Sequence, residues 1–135
     1  MQIGAIPGKM ESEWHEEVKA VVDTWSTYQV SLDEFKQAVT GKELLYAKAH
    51  GGKAWIVDSS QAKGVFPSDV QAFIASDVFK SFARDGIKYF ITISSEVSAI
   101  TNLNIKQFSA HAGPSGIQLL NLKSVADAKT WLKGK

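Results

Sequence analysis

The sequence predicts an α/β fold, a mixed and mostly parallel sheet with about four helices packed on it. Three observations carry that reading. Short apolar runs alternate with capped helical segments from Ala54 to the end of the chain, which is the pattern of repeated right-handed crossovers. One of those runs, Ala54-Trp55-Ile56-Val57, is short and continuous, as in a strand covered on both faces, and Ile87-Lys88-Tyr89-Phe90-Ile91-Thr92-Ile93 is the clearest strand of the chain. The stretch from Trp14 to Trp25 is rich in β-branched and aromatic residues, so it adds one or two strands of antiparallel or edge character at the start.

Taken in order, Gly4, Pro7 and Gly8 mark residues 1–13 as a flexible N-terminal arm, leaving 14–135 as a single α/β domain. Ser31-Leu32-Asp33-Glu34 is a capping box, with the serine hydroxyl accepting from the third helical amide and the glutamate reaching back. The helix it opens runs to about His50, with Leu32, Phe35, Val39 and Tyr46 on one face, Gly41 weakening its middle and Gly51-Gly52 supplying a left-handed stop. After the strand at Ala54, Pro67-Ser68-Asp69-Val70-Gln71 opens a second helix, with Ser68 and Gln71 as a second box. Its apolar positions Val70, Phe73, Ile74, Val78 and Phe82 have helical spacing, and Gly86 ends it. The strand at Ile87 follows, then a helix from about Val97 to Ala110. A turn at Gly113-Pro114-Ser115-Gly116 leads to a strand at Ile117-Gln118-Leu119-Leu120. The last helix is capped by Ser124 and turns Val125, Ala128, Trp131 and Leu132 inward.

The bulk properties narrow the function classes. At 135 residues the chain fits one domain, large enough to bury a core without cross-links. A formal net charge of +1 gives no electrostatic footprint for nucleic acid. The absence of cysteine excludes disulfides, thiolate metal sites and cysteine nucleophiles, and a cytoplasmic location follows as the simplest expectation. No segment has the length and apolarity of a membrane span, and the first residues do not read as a signal peptide. Gly4-Ala5-Ile6-Pro7-Gly8-Lys9-Met10 has the wrong spacing for a phosphate-binding loop and Met10 where a hydroxyl is needed. His15-Glu16-Glu17 lacks the second histidine of a zinc helix. No metal or cofactor is expected.

The order and spacing of these pieces from Ser31 to Leu132, about three-quarters of the chain, resembles the SpoIIAA-like group. That group includes the anti-sigma-factor antagonists, STAS domains and bacterial relatives without an agreed activity. The matching pieces are Ser31-Leu32-Asp33-Glu34-Phe35, Trp55-Ile56-Val57-Asp58-Ser59-Ser60, Pro67-Ser68-Asp69, Gly86-Ile87-Lys88-Tyr89-Phe90 and Ala126-Asp127-Ala128-Lys129-Thr130-Trp131-Leu132. The resemblance implies a non-catalytic regulatory or interaction module. Antagonists of the group carry a phosphorylated serine in an Asp-Ser-Ser-Gly element at a helix start. Here the equivalent region reads Gly64-Val65-Phe66-Pro67-Ser68-Asp69, so Ser68 is the nearest positional match, with Ser59 and Ser60 as further phosphorylation candidates.

Three polar strand ends, Asp58-Ser59-Ser60, Ser94-Ser95-Glu96 and Asn121, should gather at one rim of a parallel sheet, where ligands of open α/β folds bind. Helix amides at that rim favour an anion. Beside them Phe66, Phe73 and Phe79 offer an apolar side. The candidate ligand-binding set is therefore Asp58, Ser59, Ser60, Phe66, Phe73, Phe79, Ser94 and Ser95, for a small amphipathic or anionic ligand; the same serines also serve a purely structural reading as caps and turns. The expected partners are that ligand or another protein, including a second copy in a homodimer, with neither nucleic acid nor an integral membrane involved. Two other readings remain: a carrier of a lipid-like ligand, which needs a large apolar cavity, and a small serine hydrolase, which needs a histidine beside one of the strand-end serines.

Overall fold

The computed structural model describes residues 1–135. Six strands form one sheet in the order of the chain, β1 (Gln2–Ile6), β2 (Met10–His15), β3 (Ala20–Trp25), β4 (Ala54–Asp58), β5 (Tyr89–Ile93) and β6 (Gln118–Leu122). The first three are an antiparallel meander, and β3 to β6 are parallel. The mixed α/β architecture is thus as the sequence reads. The N-terminal arm is not: residues 1–13 hold β1 and most of β2. Met10, Ser12 and Trp14 are buried while Glu11 and Glu13 are exposed, so this segment has the two-residue period of a half-covered strand, which the glycines and proline of its turn obscure.

Four helices complete the fold. Helix α1 spans 32–49 and is continuous, but its middle, Lys36–Glu43, is wound as a π-helix; the Leu44 amide donates to the Val39 carbonyl, five residues back. Ser31 forms the expected capping box with Glu34, at 3.1 Å and 2.9 Å. The wider turn moves the buried stripe from Phe35, Ala38 and Val39 onto Glu43, Leu44 and Ala47, leaving Tyr46 half-buried. Gly51 is left-handed (φ +71°), and a side chain at Gly52 would strike the Ala47 methyl group at 2.9 Å, so the helix-to-β4 turn needs both glycines.

Helix α2 spans 68–84, with a second π-segment at Ile74–Val78. Its expected capping box is absent. Ser68 is already the first helical residue, Pro67 stands at the cap, and the Gln71 side chain donates through its Nε2 to the Phe66 carbonyl instead (2.7 Å). A proline fits a helix start because its missing N–H lies among the unpaired ones. Helix α3 (Ala99–Ser109) is capped by Ser98 and α4 (Val125–Lys133) by Ser124.

Successive right-handed crossovers in a sheet of steadily increasing strand order lay α1, α2 and α3 on one face. The main core lies beneath them, joining Trp25, Trp55, Val57 and Phe90 of the sheet to Phe35, Val39, Phe79, Phe82 and Phe108 of the helices. The opposite face is covered only by α4, whose Ala128 and Leu132 close a smaller core over Val22, Ile56 and Ile91.

Candidate functional site

The polar ends of β4 and β5 do meet, but they bond to one another rather than surrounding a ligand. The Ser59 amide donates to the Ile93 carbonyl (3.1 Å) and the Glu96 amide to the Ser60 carbonyl (2.9 Å). The Asp58 carboxylate accepts from the Ser60 amide at 3.0 Å, an Asx turn. Ser95 donates to the Ala62 carbonyl at 2.8 Å and accepts from the amides of Val97 and Ser98. The reason is topological. A binding crevice opens where the strand order reverses and helices on opposite faces diverge; β3 to β6 run in sequence without reversal, so no crevice forms.

Ser59 is fully buried and hydrogen-bonded to the Tyr28 hydroxyl, which removes it as an accessible ligand group and as a phosphoacceptor in the folded protein. Burial pushes the Tyr28 phenol far above its ordinary range. Ser60 is half-buried, and Ser68 is exposed on the first turn of α2. Two of the three aromatics belong to the interior. Phe66 stacks on Tyr28 with centroids 4.1 Å apart and meets Trp25, Phe35 and Phe108 edge-on; Phe79 packs against Phe82 and Phe90. Phe73 is half-buried, under the Lys36 ammonium at 5.0 Å. The apolar cavity bordered by Phe66 and Phe79 measures about 30 Å³. That is room for about one water, against roughly 300 Å³ or more for a pocket that takes a small organic molecule.

A row of directly paired residues crosses the helix-covered face of the sheet: Gly4, Ser12, Asp23, Val57, Thr92 and Asn121, one from each strand. Its two ends are polar. At the β2–β3 end, Asp23 lies against Glu43, delivered by the π-turn of α1, and the Trp55 indole donates to Asp23 at 3.0 Å. Ser12 Oγ, Asp23 Oδ1 and both Glu43 oxygens have no hydrogen-bond partner outside this cluster. Burial, then the neighbouring acid, raise the Glu43 carboxyl far above the carboxylate range; burial also raises Asp23. The pair therefore keeps a proton at neutral pH, a reading the acidic residue types alone do not disclose.

At the opposite end the row opens to the surface. Thr92 and Asn121, with Ser94 above them, line a pocket of about 410 Å³ between α3 and β6. The Asn121 amide donates to the Thr92 hydroxyl (2.9 Å) and to Ser94 Oγ (3.1 Å), which orients its carboxamide. The helix contributes Asn102, Ile105, Lys106 and Ser109, spaced three and four residues apart on one flank. Asn102 is fixed by a pair of bonds to the Ser95 backbone, at 2.6 and 2.9 Å. Ser109 is 3% exposed and its hydroxyl has no partner. Lys106 is the one charged side chain of the lining, and Leu119 and Ala110 are its apolar rim. A larger depression, about 580 Å³, lies beside β1 but gathers only Gln2, Lys42 and Tyr46 as side-chain polar groups.

Of the expected site residues only Ser94 belongs to this pocket. Ser95 supports it indirectly through Asn102, and Asn121, singled out as a strand end, lies at its base. Lys106 and Ser109 were not readable as site residues: each is an ordinary position of a helix. Comparison with family models, with curated proteins and with solved structures finds no match for this chain.

Proposed function

We propose that the chain is a non-catalytic, SpoIIAA-like regulatory module of the cytoplasm that holds a small amphipathic anion in the pocket between α3 and the β5–β6 edge. The observation that carries this reading is one cation, Lys106, beside the buried and partnerless Ser109, in a pocket with an apolar side (Ile105, Ala110 and Leu119) and polar groups from Thr92, Ser94, Asn102 and Asn121. A carboxylate or phosphate at Lys106 gains a charge-assisted contact, and a short alkyl or aromatic tail covers Ile105 and Leu119. The volume suits a ligand of small-metabolite size.

Support for the family reading is the unbroken strand order with three helices on one face and a terminal helix on the other. Support for a non-catalytic role is the use of the strand-end serine hydroxyls for structure: Ser59 bonds to Tyr28, Ser95 to the Ala62 carbonyl and Ser94 to Asn121. A regulatory output is supported by the outer side of the same helix. Ile100 and Leu103 are 60% and 56% exposed, with Val97 just before them, so the helix that grips the ligand also presents an apolar stripe to a protein partner.

The test is a titration with octanoate followed by backbone NMR, with octylamine as the charge-reversed control. Octanoate should shift Lys106, Ser109 and Asn121 resonances, and Lys106→Glu should weaken binding at least about tenfold, the scale of one charge-assisted contact. Equal response to octylamine, or octanoate binding untouched by Lys106→Glu, refutes the proposal.

A further inference from the structure

The two edges of the sheet differ in kind. Strand β1 is guarded: its register slips between Gln2 and Gly4, a bulge-type irregularity, and Pro7 follows the strand. Both devices discourage pairing with another chain. Strand β6 has neither. Gln118-Leu119-Leu120-Asn121-Leu122 pairs with β5 in unbroken register and contains no charge, no proline and no glycine. The Gln118 amide points inward, to the Lys88 carbonyl at 2.9 Å. Backbone groups alternate along a strand, so the N–H and C=O groups of Leu119 and Asn121 point to the open edge. Every residue of β6 is at least partly exposed, and Leu119 is 43% exposed.

We propose that β6 is a homodimer interface, in which two copies join edge to edge, antiparallel, about a two-fold axis through Leu120. The pattern of the strand is self-complementary in this register. Leu119 faces Asn121 of the second copy and Asn121 faces Leu119, so the four outward groups of each strand form four backbone hydrogen bonds. Leu120 meets its own counterpart as a non-hydrogen-bonded pair, the closer type, and Gln118 meets Leu122 on the same face. The result is a continuous twelve-stranded sheet, since each copy brings six. An unrelated peptide would satisfy the outward groups of β6 alone, and the strand carries no charged residue to select it, whereas a second copy satisfies both strands at once. The axis lies beside the ligand pocket, because Leu119 and Asn121 line it; the inference does not depend on that pocket being occupied.

The chain contains no cysteine, so one introduced thiol reports alone. In the proposed register the two Leu120 Cα atoms stand about 4.5 Å apart, within the range a disulfide spans, while the Gln118 pair is displaced by four residues, or roughly 13 Å. Leu120→Cys should therefore form a disulfide-linked dimer under mild oxidation, and Gln118→Cys should not. In sedimentation of the unmodified protein at about 100 μM a dimer is expected. Leu119→Pro, which removes one outward N–H without touching the bonds to β5, should give a monomer with an unchanged circular-dichroism spectrum. A monomer for the unmodified protein, or cross-linking at 118 equal to that at 120, overturns the proposal. A dimer that survives Leu119→Pro in a folded protein also overturns it. None of these readouts involves a ligand, so failure here and failure of the anion site are separable.

Discussion

Replacing Glu43 by glutamine should change how stability depends on pH more than it changes stability itself. In the folded chain the Glu43 carboxyl is held above its ordinary value by burial and by Asp23; in the unfolded chain it ionises at its ordinary value, near 4.5. Between those values the folded state carries a proton that the unfolded state has released. Stability must then be complete below the unfolded pKa and fall as pH rises, by about 1.4 kcal/mol per pH unit for one retained proton. From pH 5.5 to 8.5 this amounts to roughly 4 kcal/mol, a large share of the roughly 5–15 kcal/mol that holds a domain together. The depressed carboxylates, Glu16, Glu34 and Asp85, have the opposite sign and lose their contribution only below about pH 4.5, outside this window. Urea unfolding at half-unit pH steps should show the decline with a constant m-value. Glu43→Gln keeps the shape and can donate to Asp23, so its stability should be nearly level over the window apart from a residual slope contributed by Asp23. It should match the wild type near pH 5.5 and exceed it at pH 8.5. A wild-type stability that is flat or rises from pH 5.5 to 8.5, or a wild-type slope kept by Glu43→Gln, would refute the shared-proton account.

The Tyr28–Ser59 bond should behave as a buried pair. Ser59→Ala strands the phenol and should cost about 1–3 kcal/mol, Tyr28→Phe strands the serine at similar cost, and the double change should recover part of the loss in a urea-unfolding cycle. At the helix starts, Ser31→Ala breaks a complete capping box and should cost about 1 kcal/mol, whereas Ser68→Ala touches no cap and should leave the midpoint within about 0.5 kcal/mol; equal costs would contradict the cap geometry.

The elements legible in the sequence were those announced by local chemistry. The Ser31 box, the Gly51 stop and the strand runs at Ala54 and Ile87 each act within a few residues, and each stands where expected. The β1–β2 hairpin was not legible as such, because its turn residues Pro7 and Gly8 dominate a segment whose alternation is short. The Ser68 box failed for a related reason: the pattern of residues was right, but Pro67 took the cap position and Gln71 found a nearer carbonyl. The site was harder still. Asp23 and Glu43 are twenty residues apart and meet only because the π-turn of α1 aims the glutamate at the sheet. Lys106 and Ser109 become neighbours of Thr92 and Asn121 only through the register of β5 with β6 and the lie of α3 above them. Such juxtapositions are properties of topology, which no local period encodes.

That topology also explains why the open pocket lies where it does. Polar residues occur at both ends of the row that runs from Gly4 to Asn121, while Val57 at its centre is buried in the main core. A polar row beneath helices must be satisfied or wetted, since an unpaired buried hydroxyl or carboxyl is costly. At the β2–β3 end α1 solves this by bending: its π-turn lowers a second acid onto Asp23 so that the two share a proton, and the end is sealed. At the β5–β6 end α3 is a regular helix, and it stands off far enough to leave about 410 Å³ over Thr92 and Asn121. Nothing in the chain covers β6 on its outer side. The Ser109 hydroxyl stays buried and without a partner beneath this opening, and Lys106 is the one charged group placed to choose an anion. The sealed end carries the shared proton that makes stability depend on pH, and the unsealed end is the place where binding energy can be gained.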